Sequence, residues 1–339
     1  MKNQPETPIL VFGEALIDEF PEQKIIGGAP FNVARTLAHF ACVPLLITRI
    51  GDDENGTSIR NAMRAGGLSQ SGLQIDLQHP TGRVAVLQED EKDPKAHRFN
   101  ILAHQAYDYI DTTLASQAAT NFSLSIQQRA ATSGRLKGII YFGTLAQRHD
   151  ESRRALQTLL NTLNADLYLK YLDLNLRDGQ VSSQIIENAL RQADIVKLNE
   201  DELMYLTQSS LSNTAKKKIP AIDLNAKRES WRPAIAELMH DFKVQAMIVT
   251  LGARGYAYFD TSGEFFSSEE VSRQVSIVDT VGAGDAFSAV FLAGLVKGWR
   301  LETCLRRARD FATAVCEIRG AISTDQEFYR HWLRRWDAE

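Results

Sequence analysis

The sequence has few cysteines and little net charge. Its cysteines, Cys42, Cys304 and Cys316, are too few and too far apart for a disulfide framework or a C-x-x-C metal site. The formal net charge is −4 over 339 residues, whereas a protein that binds nucleic acid needs a basic face for the phosphates. We therefore expect neither a disulfide-stabilised secreted domain nor a nucleic-acid-binding protein.

The sequence also lacks a long apolar run. None approaches the ~20 residues that a membrane-spanning helix needs, and the first residues lack the cationic and apolar segments of a secretory signal. A composition of 44% hydrophobic and 24% charged residues is typical of a soluble globular enzyme. We expect the protein to act in the cytoplasm, with no membrane partner.

Several common catalytic motifs are absent. There is no G-x-x-x-x-G-K-[ST] phosphate loop, no H-E-x-x-H zinc motif and no G-x-S-x-G nucleophile elbow. A nicotinamide-dependent dehydrogenase should carry G-x-G-x-x-G after its first strand, and residues 13–15 read G-E-A instead. These absences disfavour phosphate-loop enzymes, zinc proteases, serine hydrolases and dehydrogenases.

The sequence does contain a regular alternation of short apolar runs and helix-length segments. This alternation predicts a doubly wound, mostly parallel α/β sheet flanked by helices. Polar residues or glycines follow the runs, at the edge where such sheets bind ligands. The predicted strands are residues 9–12, 45–50, 139–142, 167–172, 194–198 and 246–251.

Two segments break the alternation. Residues 82–88 and 96–102 read as two strands joined by the polar turn 89–95, and such a hairpin should project from a parallel core. Residues 208–233 are rich in Ser, Asn, Lys and Ala. This composition is typical of a surface loop, and the sequence does not give its role.

The most informative segment is residues 279–287, D-T-V-G-A-G-D-A-F. It follows an apolar run and leads into a helical pattern, so it is a loop that feeds a helix. Gly282 and Gly284 allow the amides of the first helical turn to close on an anion. Asp285 could accept the proton of an attacking hydroxyl while those amides stabilise phosphoryl charge. Taken alone, the pattern would more often be a helix start with packing glycines and a capping Asp.

This segment resembles the C-terminal motif of the ribokinase-like (PfkB) carbohydrate kinases, D-T-x-G-A-G-D-x-F. Residues 27–34, G-G-A-P-F-N-V-A, resemble the sugar-binding element of the same family, G-G-x-x-x-N-x-A. The two motifs stand in the family's order, roughly 250 residues apart. Further matches extend the resemblance over residues 9–323: Gly51-Asp52 with Gly56, residues 197–202, and residues 250–252 with Gly255.

The resemblance implies a single ribokinase-like domain over residues 1–339, with a small β lid formed by about residues 14–30 and 81–104. Residues 208–233 are longer than the corresponding connection in a typical member, which implies a surface insertion of unknown role. Within the family, bacterial fructokinases are the most similar members, and Ala29-Pro30 departs from the Lys-Gly that ribokinases tend to carry. Lid strands often pair between subunits in this family, which implies a homodimer through the lid. The fructokinase-like segments are residues 13–18, 142–146 and 173–177.

The resemblance also implies roles for individual residues. Asp285 would be the general base, and the anion hole would use the amides of Gly282, Ala283 and Gly284. ATP and Mg²⁺ are the implied cofactors, with cofactor contacts from Asn199, Glu202, Thr250, Gly252 and Gly255. The implied sugar contacts are Asp18, Gly27, Gly28, Asn32 and Arg177.

Some of these residues have simpler interpretations. Asn199 and Glu202, read alone, would be a capping box. Arg177 could contact a ketose oxygen or an acidic sugar, or it could pair with Asp173. Many family members bind a monovalent cation such as K⁺ beside the anion hole, and here Asp279 and Val281 match, with the loop 319–321 as the other wall. Asp279 could instead simply form a turn.

We therefore expect an ATP-dependent kinase that transfers the γ-phosphoryl group to a primary hydroxyl of a ketohexose, with fructose as the first candidate. One alternative is a kinase of the same family for 2-keto-3-deoxygluconate, tagatose or a nucleoside. Another is a sugar-binding regulatory protein that has lost turnover. The presence of Asp285 and both motif glycines disfavours the regulatory protein, because it would have no need of a base.

Overall fold

The computed structural model describes residues 7–90, 93–127, 138–163, 168–208, 219–268 and 276–339. Its strands are β1 Ile9–Phe12, β2 Leu16–Glu19, β3 Lys24–Gly27, β4 Pro44–Gly51, β5 Leu73–Asp76, β6 Gly82–Asp90, β7 Asp93–Ile101, β8 Ile139–Phe142, β9 Leu169–Asp173, β10 Ile195–Asn199, β11 Ala246–Thr250, β12 Tyr256–Asp260 and β13 Phe265–Ser267. Its α-helices are α1 Ala29–His39, α2 Glu54–Ala65, α3 Thr112–Gln127, α4 Asp150–Thr162, α5 Ser183–Gln192, α6 Glu200–Gln208, α7 Arg232–Phe242, α8 Ala283–Lys297, α9 Leu301–Val315 and α10 Gln326–Ala338.

The main sheet has the strand order β13-β12-β11-β10-β9-β8-β1-β4-β5 within the described residues. Strands from β11 to β5 run parallel, and β12 and β13 add an antiparallel hairpin at one edge. The six predicted strands are its centre: β1, β4, β8, β9, β10 and β11. The predicted doubly wound, mostly parallel architecture is therefore confirmed.

Each central strand is buried on both faces, which explains why it reads as an unbroken apolar run. In β1, Leu10 and Phe12 belong to one core while Ile9 and Val11 belong to the other. Side chains of α3, α4, α5 and α7 fill the first core, and side chains of α1, α8, α9 and α10 fill the second. The helices thus cover both sides of the sheet.

A second, four-stranded sheet has the order β3-β2-β6-β7. It contains the predicted hairpin, and β2 joins that hairpin through a parallel pairing with β6. The predicted turn at residues 89–95 was wrong in its extent, because pairing continues to Asp90 opposite Asp93. Charged residues at a strand end do not prevent backbone pairing, so a prediction based on polarity made the turn too long. Residues 91–92 lie outside the described residues.

The segment predicted as a surface insertion is described only in part, since residues 209–218 lie outside the described residues. In the described part, Ile222 and Trp231 are buried in the first core. The Trp231 Nε1–H donates a hydrogen bond to the Asp223 carbonyl at 2.9 Å. This part of the segment is therefore not confined to the surface, and its status as an insertion stays a prediction.

No helix within the described ranges combines the length and the apolar composition that crossing a bilayer requires. Most of these helices present one apolar side to the sheet, whereas α8 is buried all round from Ala286 to Gly294. In α4, for example, Ala155, Leu156 and Leu159 are buried, at the three- and four-residue spacing of one helical face.

Candidate active site

A cavity of about 980 Å³ lies between the two sheets. Leu16, Asp18 and Val84 of the small sheet line one side, and Asn199 and Thr250, at the carboxyl ends of β10 and β11, line the other. This volume is at the upper end of the range of ligand pockets, roughly 300–1,000 Å³. The small sheet therefore covers the edge of the main sheet where ligands are expected, as a lid does.

The start of α8 forms part of the cavity wall. Gly282 precedes the helix with φ of 80°, a left-handed conformation, and a β-carbon there would overlap the side chain of Ala321. The Ala283 N–H already donates to the Thr280 carbonyl at 3.3 Å, a long and weak bond. First-turn amides have no acceptor within their own helix, so this end attracts anions. Gly282, Ala283 and Gly284 all line the cavity, and binding of an anion by their amides stays a prediction.

Asp285 lies in the first turn of α8 and also lines the cavity. Its Oδ2 accepts a hydrogen bond from Asn32 Nδ2 at 2.8 Å. Burial raises the pKa of Asp285, and repulsion from Asp173 raises it further, while Asn32, Lys197 and Arg177 oppose the shift. A raised pKa makes the carboxylate a better proton acceptor. The structure thus joins the two sequence motifs through one hydrogen bond.

The glycines of the N-terminal motif bring backbone against acidic residues. Gly28 precedes α1 with φ of 101°, and a β-carbon there would lie 2.6 Å from the Glu14 carbonyl oxygen. A β-carbon on Gly27 would collide with the carboxylate of Asp18. The Asn32 Oδ1 is buried and has no hydrogen-bond partner among the described residues. An acceptor without a partner at this position is available to a substrate hydroxyl.

The carboxylates of Glu14, Asp18 and Asp285 all line the cavity, and Asp285 acts electrostatically on the other two. The sequence placed Glu14 beside the cleft but gave it no role at the site. Burial raises the pKa of Glu14 to about 7, opposed by its own backbone N–H and by Arg177. Burial likewise raises the pKa of Asp18 to about 6, again opposed by Arg177. Glu14 directly follows Gly13 after β1, and this position just beyond a buried strand is the signal that placed it at the ligand-binding edge of the sheet.

Arg177 lines the cavity and acts electrostatically on Glu14, Asp18 and Asp285. The suggestion that it pairs with Asp173 is wrong. The Asp173 carboxylate instead accepts hydrogen bonds from Lys197 Nζ at 3.0 and 3.1 Å. Lys197 is the only charged side chain of β10, and a lone cation in an apolar strand was the signal for this pair.

Thr250, Gly252 and Gly255 line the opposite end of the cavity. The Thr250 hydroxyl donates to the Leu198 carbonyl at 3.3 Å. Leu224, from the described part of the 208–233 segment, lines the same end, although no sequence pattern pointed to it.

Asn199 and Glu202 form the capping box that was their simpler interpretation. The Asn199 N–H donates to Glu202 Oε2 at 2.8 Å, and the Glu202 N–H donates to Asn199 Oδ1 at 2.9 Å. Glu202 Oε1 accepts from the Leu176 N–H at 2.7 Å. Asn199 lines the cavity and Glu202 stands behind it, almost fully buried. A contact of Glu202 with a cofactor stays a prediction.

Asp279 forms a turn and also ties two loops together. Its Oδ1 accepts from the Val281 N–H at 3.0 Å, and its Oδ2 accepts from the Gly320 N–H at 3.0 Å. Residues 319–321 thus stand against the motif loop, as the sequence suggested. Binding of a cation by Asp279 and Val281 stays a prediction.

Comparison with known proteins agrees with this geometry. The sequence model of the family described as "pfkB family carbohydrate kinase" matches residues 9–327. A curated relative, "Probable fructokinase-5" of Arabidopsis thaliana, is 27% identical over 95% of this chain and 93% of its own length.

Solved structures share the fold over nearly the whole chain. A fructokinase of Vibrio cholerae, bound to fructose, ADP and a calcium ion, has a TM-score of 0.72 at 20% identity and covers 97% of this chain and 100% of its own. An aminoimidazole riboside kinase of Salmonella enterica, bound to its riboside and an ATP analogue, also has a TM-score of 0.72, at 21% identity over 96% of this chain and 99% of its own. At these identities the structures establish a shared ribokinase-like fold.

Proposed function

Because the chain belongs to the pfkB family of carbohydrate kinases, we propose that it transfers the γ-phosphoryl group of ATP to a primary hydroxyl of a ketohexose, and that this sugar is fructose. One observation carries the proposal. Asp285 lies in the first turn of α8, whose amides can bind an anion, and it is hydrogen-bonded to Asn32 of the segment that resembles the family's sugar-binding element. A base is therefore adjacent both to the expected phosphoryl group and to the expected sugar.

In this proposal the reaction is a direct in-line transfer. The sugar hydroxyl gives its proton to Asp285 as its oxygen forms a bond to the γ-phosphorus. The bond from that phosphorus to the β,γ-bridging oxygen breaks, and ADP leaves. The amides of Gly282, Ala283 and Gly284 stabilise the charge on the transferring group.

The sugar would bind between the lid and α1. Asp18 and Asn32 line the cavity beside Gly28, and a carboxylate and an amide offer acceptors and donors in fixed directions, which suits a polyol. Gly27, at the end of β3, is not part of this cavity lining within the described residues. Arg177 would face a ring or carbonyl oxygen of the ketose. The nucleotide would occupy the other end, against Thr250, Gly252 and Gly255.

The cavity wall also suits Mg²⁺, which prefers oxygen ligands and keeps part of its water shell. Asn199, Glu200 and Asp201 line the cavity at the start of α6, and each of these side chains carries oxygen atoms. When bound there, the ion would neutralise charge on the phosphate oxygens. Glu202 would act behind them by fixing Asn199 through the capping box.

Fructose is favoured over the alternatives by the curated fructokinase relative and by the V. cholerae structure with fructose. The aminoimidazole riboside kinase, which has the same fold, keeps a nucleoside as the second candidate. Because 2-keto-3-deoxygluconate carries a carboxylate, it would require Arg177 as its partner. A panel of acceptors can separate these candidates.

The test is a coupled assay of ADP release with ATP and Mg²⁺, using fructose, tagatose, ribose, glucose, 2-keto-3-deoxygluconate and adenosine. Fructose should give the highest kcat/KM, with a steep ranking, because a site built for particular hydroxyls rejects analogues that lack them. A preference for another acceptor would reassign the substrate. If sugars bind by calorimetry but none raises ADP release above the background rate, the kinase proposal fails and the regulatory alternative replaces it.

A further inference from the structure

Lys197 is a buried cation at the carboxyl end of a central strand. Its neighbours in β10, Val196 and Leu198, are fully buried, and Lys197 itself is only 6% exposed. Burying an ammonium group costs several kcal/mol unless it is paired. Replacing such a pair by apolar residues is often neutral or stabilising, so the fold alone gives no reason for a lysine here.

The partner of Lys197 is Asp173, directly opposite it in the parallel pairing of β9 with β10. Their N–O distances are 3.0 and 3.1 Å. The Asp173 carboxylate is fixed in turn by Ser288 of α8, whose hydroxyl donates to Oδ2 at 2.9 Å. The ammonium group is therefore held in one place by a network that reaches the helix carrying Asp285.

The ammonium group also faces the cavity. Within the described part of the chain, Asp173 is its only hydrogen-bond acceptor, so one of its three N–H groups is left without a partner. Lys197 is part of the cavity lining. A buried donor without a partner is unfavourable, and a ligand oxygen in the cavity could accept from it.

Gly284 locates this donor relative to the anion hole. A β-carbon on Gly284 would lie 2.8 Å from Lys197 Nζ. The absence of a side chain at Gly284 therefore lets the ammonium approach the first turn of α8 directly. A phosphoryl group at that helix start would meet backbone amides and the lysine together.

We propose that Lys197 is a further catalytic residue, whose ammonium donates a hydrogen bond to the transferring phosphoryl group beside Gly284. The proposal rests on the proposed kinase function. The ammonium keeps its proton throughout and supplies positive charge where the phosphoryl oxygens develop charge in the transition state. Asp173 acts as a positioning residue, because it holds Nζ without touching the substrate.

The decisive variant is Lys197→Met combined with Asp173→Asn, which removes the charge without leaving a buried carboxylate unpaired. We expect kcat to fall about 10² to 10³-fold, the usual effect of losing one such donor, with little change in the sugar KM or in Tm. The matched control is Lys170→Met, on the neighbouring strand β9 and outside the cavity lining. It should leave kcat unchanged.

A second variant covers the case in which the double variant does not fold. Lys197→Gln retains a donor for Asp173 but loses the charge, and kcat should again fall. Calorimetry with ADP, fructose and aluminium fluoride, which imitates the transferring phosphoryl group, should show an affinity loss close to the loss in kcat. Affinity for ADP alone should not change.

The outcomes separate this proposal from the proposed function. If the parent protein phosphorylates no acceptor, the kinase function fails and the role of Lys197 fails with it. If the parent is active and the folded variants keep kcat within about 3-fold, which corresponds to less than ~0.7 kcal/mol, only the role of Lys197 is overturned. Lys197 would then be a structural link between β9 and β10.

Discussion

At the scale of single residues, Asp285 experiences opposing influences. Burial and the charge of Asp173 raise its pKa, while Asn32 and Lys197 favour the ionised form. A general base needs this balance, because it must be ionised at working pH and still accept a proton readily. The structural contacts of Asp285 therefore match the task that the proposed function gives it.

Replacing Asp285 by Asn should lower kcat by about 10² to 10⁴-fold, the usual contribution of a positioned base. Nucleotide affinity measured by calorimetry should not change, because the variant keeps the shape of the side chain. Activity of the parent should decline on acidification through the raised pKa of Asp285, with a midpoint above the ordinary Asp value of about 4. Asp150→Asn, at the start of α4 and outside the cavity lining, is the control, and near-normal turnover of Asp285→Asn would refute the assignment.

The raised pKa of Glu14 makes the free energy of unfolding depend on pH. Between pH 4.5 and about 7 the folded protein holds the Glu14 proton while the unfolded chain has released it, because burial raises the folded pKa from 4.5 to about 7. Stability is lost as pH rises through this window, since the folded state then binds more protons than the unfolded state. Above pH 7 the buried Glu14 carboxylate is charged, and the whole desolvation cost of that charge lowers the free energy of unfolding.

Glu14→Gln should therefore stabilise the protein at pH 8 by on the order of 3 kcal/mol, because burial raises the pKa from 4.5 to about 7 and one pKa unit corresponds to about 1.4 kcal/mol. Near pH 4 the gain should vanish, because both states of the parent are then protonated. Urea denaturation at the two pH values measures the difference. An equal effect of Glu14→Gln at both pH values would show that ionisation of Glu14 is not the cause.

At the scale of secondary structure elements, the start of α8 depends on its two glycines for different reasons. Gly282 requires a left-handed backbone and close contact with Ala321, whereas Gly284 leaves room for Lys197 Nζ. The first is a requirement of folding and the second is a requirement of the site. The two glycines should therefore respond differently to the same substitution.

Gly282→Ala should lower both Tm and kcat, because the methyl group strains the backbone and collides with a packed loop. Gly284→Ala should lower kcat about 10-fold or more with a smaller fall in Tm, by analogy with loss of an anion-hole donor. Gly263→Ala is a suitable control, since Gly263 has φ of 90° with open space around it. If Gly284→Ala were unstable but fully active, that glycine would serve packing alone.

The loop before α8 is the second element with a testable property. Asp279 already joins Val281 to Gly320, and a K⁺ ion bound there would order the loop that carries the anion-hole amides. At fixed ionic strength, kcat should be higher in K⁺ than in Na⁺ or tetramethylammonium, with a smaller effect on KM. Equal rates in the three salts would leave Asp279 with its turn-forming role only.

At the scale of the whole molecule, the small sheet that forms the lid has two outer strands, and each of them lacks a neighbouring strand along one edge. In its order β3-β2-β6-β7, the outer strands β3 and β7 each have one open edge within the described residues. Open edges are places where another chain can add strands. A second copy of this chain could therefore cover the lid.

We expect a homodimer that associates through the lid. Light scattering after size-exclusion chromatography should give a mass of about twice the 37.9 kDa of one chain, falling towards the monomer mass on dilution. A mass of 37.9 kDa at all concentrations would exclude the dimer. In that case the lid would cover the sugar without a partner.

The sequence by itself determined the central sheet and the glycine-rich start of α8. Strands β1, β4, β8, β9, β10 and β11 were predictable because burial on both faces produces continuous apolar runs. The motif around Asp285 was predictable because a glycine-rich turn into a helix is a local structure. Asn32 and Asp285 were both identified, although nothing local indicated the hydrogen bond between them.

The tertiary structure decided what depends on contacts between distant segments. Pairing of Lys197 with Asp173, and not of Arg177 with Asp173, follows from which strands are neighbours in the sheet. The burial of Glu14 and of Trp231 depends on elements that pack over them. The strands β5, β12 and β13 at the sheet edges were not predicted, because they are short and their pairing comes from the sheet beside them. Periodicity records how one segment is buried, and it carries no information about which segments meet.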